Sequence, residues 1–154
     1  MPLTKLDDVA ALIVIDLQNG IVGMPTAHPA AEIVGRSAQL ARAFCQRGLP
    51  VVLVNVAGSA PGRVDAPRPN ISRPPGWTDL VPELERHPND YLVTKHRWGA
   101  FLGTALDDYL RQRNVTQIFL AGIPTSAGVE STARSAYDLG FNVVLVLDAH
   151  RPRP

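Results

Sequence analysis

Apolar runs and polar punctuation alternate along this chain. Val9 to Leu17 opens with an unbroken apolar stretch, Val9-Ala10-Ala11-Leu12-Ile13-Val14-Ile15, which Asp16 closes. A run without polar alternation suits a parallel strand covered on both faces. From Ala30 to Gln46 the period changes: Ile33, Val34, Ala38, Ala41 and Phe44 recur at helical spacing, Gly48 ends the segment and Pro50 lies beyond. Pro50 to Val56 predicts a second buried strand. Residues 57–77 are dense in proline and glycine. Proline there removes the donors a sheet needs, which leaves a long loop, either a functional lid or a surface arm. A short turn or helix is expected over Leu80 to Glu85. A strand follows from Tyr91 to Thr94 with Lys95 at its end, then a helix from Thr104 to Arg113 carrying Leu106, Tyr109 and Leu110. Gln117 to Ala121 reads as the fourth strand and Gly122 to Ala127 as a tight turn. Gly128 to Leu139 is a helix with Val129, Thr132, Ala133 and Ala136 inward and Gly140 as its terminating glycine. Phe141 to Leu147 is the fifth strand, closed by Asp148.

Strands alternating with helices predict an α/β fold: three αβα layers around an open, mostly parallel sheet. The 154 residues suffice for one domain spanning 1–154 with a core of its own. The sequence ends at Pro154, just after the fifth strand, where an open doubly wound sheet usually continues. A naturally short variant and a chain missing its C-terminal elements both stay open as expectations. Charged residues make up only 19 %, which favours a homo-oligomer, a dimer or larger. A net charge of +1 without a basic block argues against nucleic acid as a partner. No apolar run approaches the roughly 18 residues that would suggest a membrane span. Met1 to Asp8 lacks the apolar segment of a signal peptide, and Cys45 is the sole cysteine. The expectation is a cytoplasmic protein. The four histidines, His28, His87, His96 and His150, lack ligand spacing, and no Gly-x-Gly-x-x-Gly follows the first strand. Neither a metal nor a cofactor is expected.

Ligands of open α/β sheets bind beyond the carboxyl ends of the strands. Asp16, Lys95 and the turn Gly122-Ile123-Pro124-Thr125-Ser126-Ala127-Gly128 converge there. A carboxylate beside an ammonium can move a proton while the ammonium stabilises developing negative charge. Backbone N–H groups of a turn before a helix suit an anion. Each feature alone also has a plainer reading: a turn aspartate, a surface lysine, a chain reversal. Gln18 is a candidate substrate ligand or a structural hydrogen-bonder. Trp98 and Phe101 either wall a cyclic substrate or pack. Arg63, Arg68 and Arg73 in the loop could meet a substrate carboxylate. Thr125, placed to tie the turn backbone, and Ser126 are further candidate substrate ligands on the turn, and Asp148 is placed to orient backbone or Lys95.

Three stretches carry a family resemblance: ALIVIDLQNG (11–20), VTKHRWGAFLGTALDDYL (93–110) and FLAGIPTSAGVESTARSAYDLGFNVVLVLDA (119–149). They resemble the isochorismatase-like hydrolases, a cysteine hydrolase superfamily that includes nicotinamidases and N-carbamoylsarcosine amidases. The resemblance implies a Rossmann-like sheet, with Asp16 as catalytic aspartate and Lys95 as catalytic lysine. It puts the family's nucleophile at Gly128, where Thr125-Ser126-Ala127-Gly128-Val129 replaces T-x-x-C-V. It also implies a cis peptide beside that threonine, at Pro124–Thr125 ahead of Ile123–Pro124. Glycine cannot form a thioester, and Cys45 lies far along the chain. A hydroxyl nucleophile among Thr125, Ser126, Ser131 and Thr132 would need different geometry. The metal motif of nicotinamidase relatives is missing, since residues 57–77 hold no histidine. True isochorismatases also carry glycine at this position and cleave an enol ether, with the aspartic acid as proton donor. The leading expectation is a cofactor-independent hydrolase of a small, anionic organic substrate, working by Asp acid/base chemistry. The alternative is a non-catalytic binding or structural protein on the same scaffold.

Overall fold

All six residues of β1 (Ala10–Ile15) are buried, and the side chains from Ala11 to Ile15 alternate between the two faces of a sheet. The computed structural model describes residues 5–25, 29–66 and 73–150. His28, Arg68 and the two tail arginines, Arg151 and Arg153, lie outside them. After β1 come α1 (Asn19–Val22), α2 (Ala30–Gln46), β2 (Val51–Val56), a single 3-10 turn (Pro82–Leu84) and β3 (Tyr91–Lys95). Then follow α3 (Leu106–Gln112), β4 (Gln117–Gly122), one wide π-type turn (Thr125–Val129), α4 (Glu130–Asp138) and β5 (Asn142–His150). The five strands pair in parallel in the order β3-β2-β1-β4-β5. The winding therefore reverses at β1, which places the topological switch between β1 and β4.

Parallel strands direct successive side chains to opposite faces. Ala11, Ile13 and Ile15 of β1 join Val52, Val54 and Ile118 against Leu106 and Leu110 of α3 and Ala136 of α4. Leu12 and Val14 join Val51 and Leu53 against Ile33 and Val34 of α2. The result is a three-layer sandwich, with α2 on one face and α3 and α4 on the other.

Each of these helices stops in the same way. Gly48, Asn114 and Gly140 take positive φ just past the ends of α2, α3 and α4. The next N–H groups, of Leu49, Val115 and Phe141, bond back to Phe44, Leu110 and Ala136. This is the Schellman pattern, and it satisfies carbonyls the helix leaves open while turning the chain toward the next strand.

The structure moves several predicted boundaries. β1 ends at Ile15, not Leu17, and the short α1, for which the sequence pattern gives no expectation, forms between it and α2. β3 takes in Lys95 and β4 takes in Gly122. The helix expected from Gly128 starts at Glu130, because the Val129 N–H reaches back five residues to Pro124 O and forms the wide turn first. The cis bond is Ile123–Pro124, which corrects the preference for Pro124–Thr125. An X–Pro bond is the tertiary amide whose trans preference is small; a bond onto threonine has no such relief.

Candidate active site

The site forms where β1 and β3 end, on either side of β2. Asp16 follows β1 directly and adopts positive φ (56°), a conformation aspartate tolerates better than most residues. Its N–H is held by Val54 O at 2.9 Å. Lys95 is the last residue of β3, two strands from β1. With neighbouring strands about 4.8 Å apart, its side chain must cross the end of β2, a span of roughly 10 Å. It does so: Lys95 Nζ donates to Asp16 Oδ2 at 2.9 Å, with both side chains almost fully buried. Nζ also donates to Arg97 O at 3.2 Å.

Asp16 Oδ1 is buried and has no hydrogen-bond partner among the described residues. Burial pushes the Asp16 carboxyl up to about 6, and the adjacent Lys95 ammonium pulls the other way. A carboxyl in that range can hold a proton or release it near neutrality, which is what acid/base chemistry requires.

Gly128 completes the arrangement from the third side. A Cβ at this position would lie 3.1 Å from Asp16 Oδ2, 3.7 Å from Lys95 Nζ and 2.8 Å from Ile15 Cγ2. Any side chain at 128 would thus point into the space that the carboxylate and ammonium face. The turn reaches this position because β4 and β1 approach closely at Gly122, where a Cβ would meet Ile15 O at 2.1 Å.

Asp16, Lys95 and Gly128 are therefore brought together, with Thr125 half-buried and Ser126 exposed on the wide turn that leads to Gly128. Other candidates are placed elsewhere. Gln18 is fully buried, but Oε1 accepts from Val56 N at 2.7 Å and Nε2 donates to Val56 O at 3.0 Å. Both ends of its amide serve backbone, which corrects the substrate-ligand reading. Phe101 is buried in the core, stacked on Phe141 with ring centroids 5.9 Å apart. It packs, as an apolar ring beside two helices would. Trp98 is 73 % exposed. Asp148 pairs with Arg36 at 3.4 Å on the surface and does not orient Lys95. Arg73 donates to Ala57 O at 2.7 Å and lies over the Trp77 ring, while Arg63 is exposed. Among the hydroxyls weighed as nucleophiles, Thr132 Oγ1 is bonded to backbone on both its donor and acceptor sides. Sequence reading missed the Arg97 carbonyl that helps hold Lys95. A backbone oxygen carries no residue signature, so no pattern could have marked it.

The Isochorismatase domain family model matches residues 10–153. The uncharacterized isochorismatase family protein YecD of Escherichia coli O157:H7 is 45 % identical over 148 residues, 90 % of this chain and 78 % of YecD. A streptothricin hydrolase of Streptomyces noursei is 38 % identical across 92 % of this chain, which spans 49 % of that enzyme. Among solved structures, an isochorismatase family protein from Burkholderia thailandensis superposes with a TM-score of 0.88 at 45 % identity, over 94 % of this chain and 80 % of the other. With the family's fold, its sequence and hydrolases among its relatives, the chain belongs to the isochorismatase family of hydrolases.

Proposed function

We propose that this hydrolase cleaves a small anionic enol ether, with Asp16 as proton donor and no covalent intermediate. The observation that carries the reading is the combination at one point: a buried carboxyl with one oxygen on Lys95 and the other without a partner among the described residues, beside a residue without a side chain. A side chain able to form an acyl-enzyme is missing from the position that faces the pair, whereas an acid is present.

The chemistry balances without a covalent step. Asp16, protonated, gives its proton to the vinyl carbon of the enol ether. The positive charge that develops is shared with the ether oxygen. Water adds to the neighbouring carbon, the one that bears the ether oxygen, and returns a proton to Asp16, and the resulting hemiketal collapses to a keto acid and an alcohol. Lys95 keeps the carboxyl from being held permanently neutral by burial, and it faces the negative charge of the substrate.

The test is pyruvate release from isochorismate by wild type, Asp16→Asn and Lys95→Ala, each first shown to be folded by circular dichroism. Release is expected from wild type, with loss in Asp16→Asn and a fall of about 10²-fold or more in Lys95→Ala. Because the working form of Asp16 is the acid, kcat/KM should fall as pH rises through about 6. No release from folded wild type overturns this substrate reading and favours a binding role for the scaffold.

A further inference from the structure

We propose that Thr132 is a positioning residue: its hydroxyl ties the loop after Lys95 to the Gly128 turn and so holds the ammonium against Asp16. The assignment rests on Asp16 and Lys95 being the working pair. Thr132 lies in the first turns of α4 and is fully buried. Its Oγ1 donates to Gly128 O at 2.6 Å. A helical threonine often bonds the carbonyl four residues back, and that bond alone says nothing about the site.

The second bond is the informative one. Thr132 Oγ1 also accepts the Ala100 N–H at 3.1 Å. Ala100 is fully buried and sits five positions after Lys95, so its N–H depends on a protein acceptor. The same loop carries Arg97 O, which accepts from Lys95 Nζ. Thr104 Oγ1 secures the loop's far end by donating to Ala100 O at 2.5 Å. Gly99 lets the loop press against α4, since a Cβ there would already touch Ser131 backbone at 3.4 Å. The connections close a ring: Asp16 to Lys95, Lys95 to its loop, the loop to Thr132, Thr132 to Gly128, and Gly128 back beside Asp16. Each arm of the ring comes from a different strand end, and one hydroxyl links two of them.

Valine at 132 keeps the shape and removes both bonds, leaving the buried Ala100 N–H without its acceptor. Serine keeps the hydroxyl. The experiment follows the carboxyl carbon of Asp16 by NMR through a pH titration of the full chain in wild type, Thr132→Val and Thr132→Ser. The signal is assigned by its loss in Asp16→Asn. With Lys95 released, the Asp16 midpoint should rise by about half a pH unit or more in Thr132→Val, and Thr132→Ser should restore the wild-type value. An unchanged or lowered midpoint in folded Thr132→Val overturns the assignment, since a threonine that only stabilises the fold would change stability and leave Asp16 alone. Should Thr132→Val not fold, hydrogen exchange in wild type decides. The Ala100 amide is expected to be protected like the amides of β1, and exchange as fast as in an exposed loop overturns the assignment. The titration needs no substrate. A wild type that leaves isochorismate intact while Thr132→Val shifts Asp16 therefore overturns the substrate reading and not this one.

Discussion

At Asp16, burial and a neighbouring ammonium act in opposite directions, and burial prevails: the carboxyl rises from 3.8 to about 6. The folded chain then holds this proton more tightly than the unfolded chain. The stability contributed by Asp16 is fully present below 3.8 and is lost as pH rises through about 6. Asp7 works in the reverse sense, because hydrogen bonds from Asn142 first and Thr116 second hold its carboxyl low. Subtracting Asp16→Asn from wild type removes Asp7 from the comparison. Measured by urea unfolding across the range, the difference in unfolding free energy should fall by up to about 3 kcal/mol between roughly pH 4 and pH 7. A difference that grows with pH would mean that Lys95, and not burial, governs this carboxyl. Asp16 and Lys95 are legible in the sequence because a charged residue closing an apolar run stands out. Gln18 is not: its partners, Val56 and Trp77, lie 38 and 59 residues away, so nothing nearby shows that its amide is already engaged. Phe101 and Trp98 are three positions apart on one loop, and only the packed core assigns the first to the interior and the second to solvent.

Among the elements, helix stops are more readable than turns. Gly48 and Gly140 announce the ends of α2 and α4, whereas Asn114 does the same for α3 with a residue that is less diagnostic. The 3-10 turn falls within the Leu80–Glu85 segment expected as a turn or short helix, whereas the four-residue α1 and the wide Thr125–Val129 turn carry no periodic signal because each is about one turn long. The backbone component of these choices can be isolated. Gly35 lies inside α2 and Gly140 just beyond α4 at φ 91°, and a Cβ at either would meet no atom within 4 Å. Packing is thus equal, and only conformation differs. Gly35→Ala should stabilise by about 0.5–1 kcal/mol, since glycine is costly within a helix. Gly140→Ala should destabilise by about 1–2 kcal/mol, since an L side chain is disfavoured at that φ. Chemical denaturation of the two variants checks both signs. Equal effects would show that some contact, not the backbone, dominates.

Across the whole molecule, the apolar runs predict a parallel sheet with helices on both faces, and this much follows from sequence. Strand order does not, because it depends on which side of the sheet each crossover takes. The order β3-β2-β1-β4-β5 makes β1 the shared wall of two cores and sets Asp16 at its end, where Lys95 must reach across β2. A shared wall has a thermodynamic consequence: the two layers should unfold together, although their side chains do not touch. Leu110 of α3 and Ile33 of α2 are buried on opposite faces. Leu110→Ala should cost about 2–5 kcal/mol and Ile33→Val about 0.5–1.5 kcal/mol. Residues this far apart without common partners should add to within about 0.5 kcal/mol in the double variant. Circular dichroism and tryptophan fluorescence should trace one coincident urea transition in all four proteins, with an unchanged slope. If each layer instead held its own fold, the Leu110→Ala transition seen by circular dichroism would split, because α3 and α4 would melt while α2 and its half of the sheet stayed ordered. A single transition means that the sheet end carrying Asp16 and Lys95 persists only while both helical layers are in place.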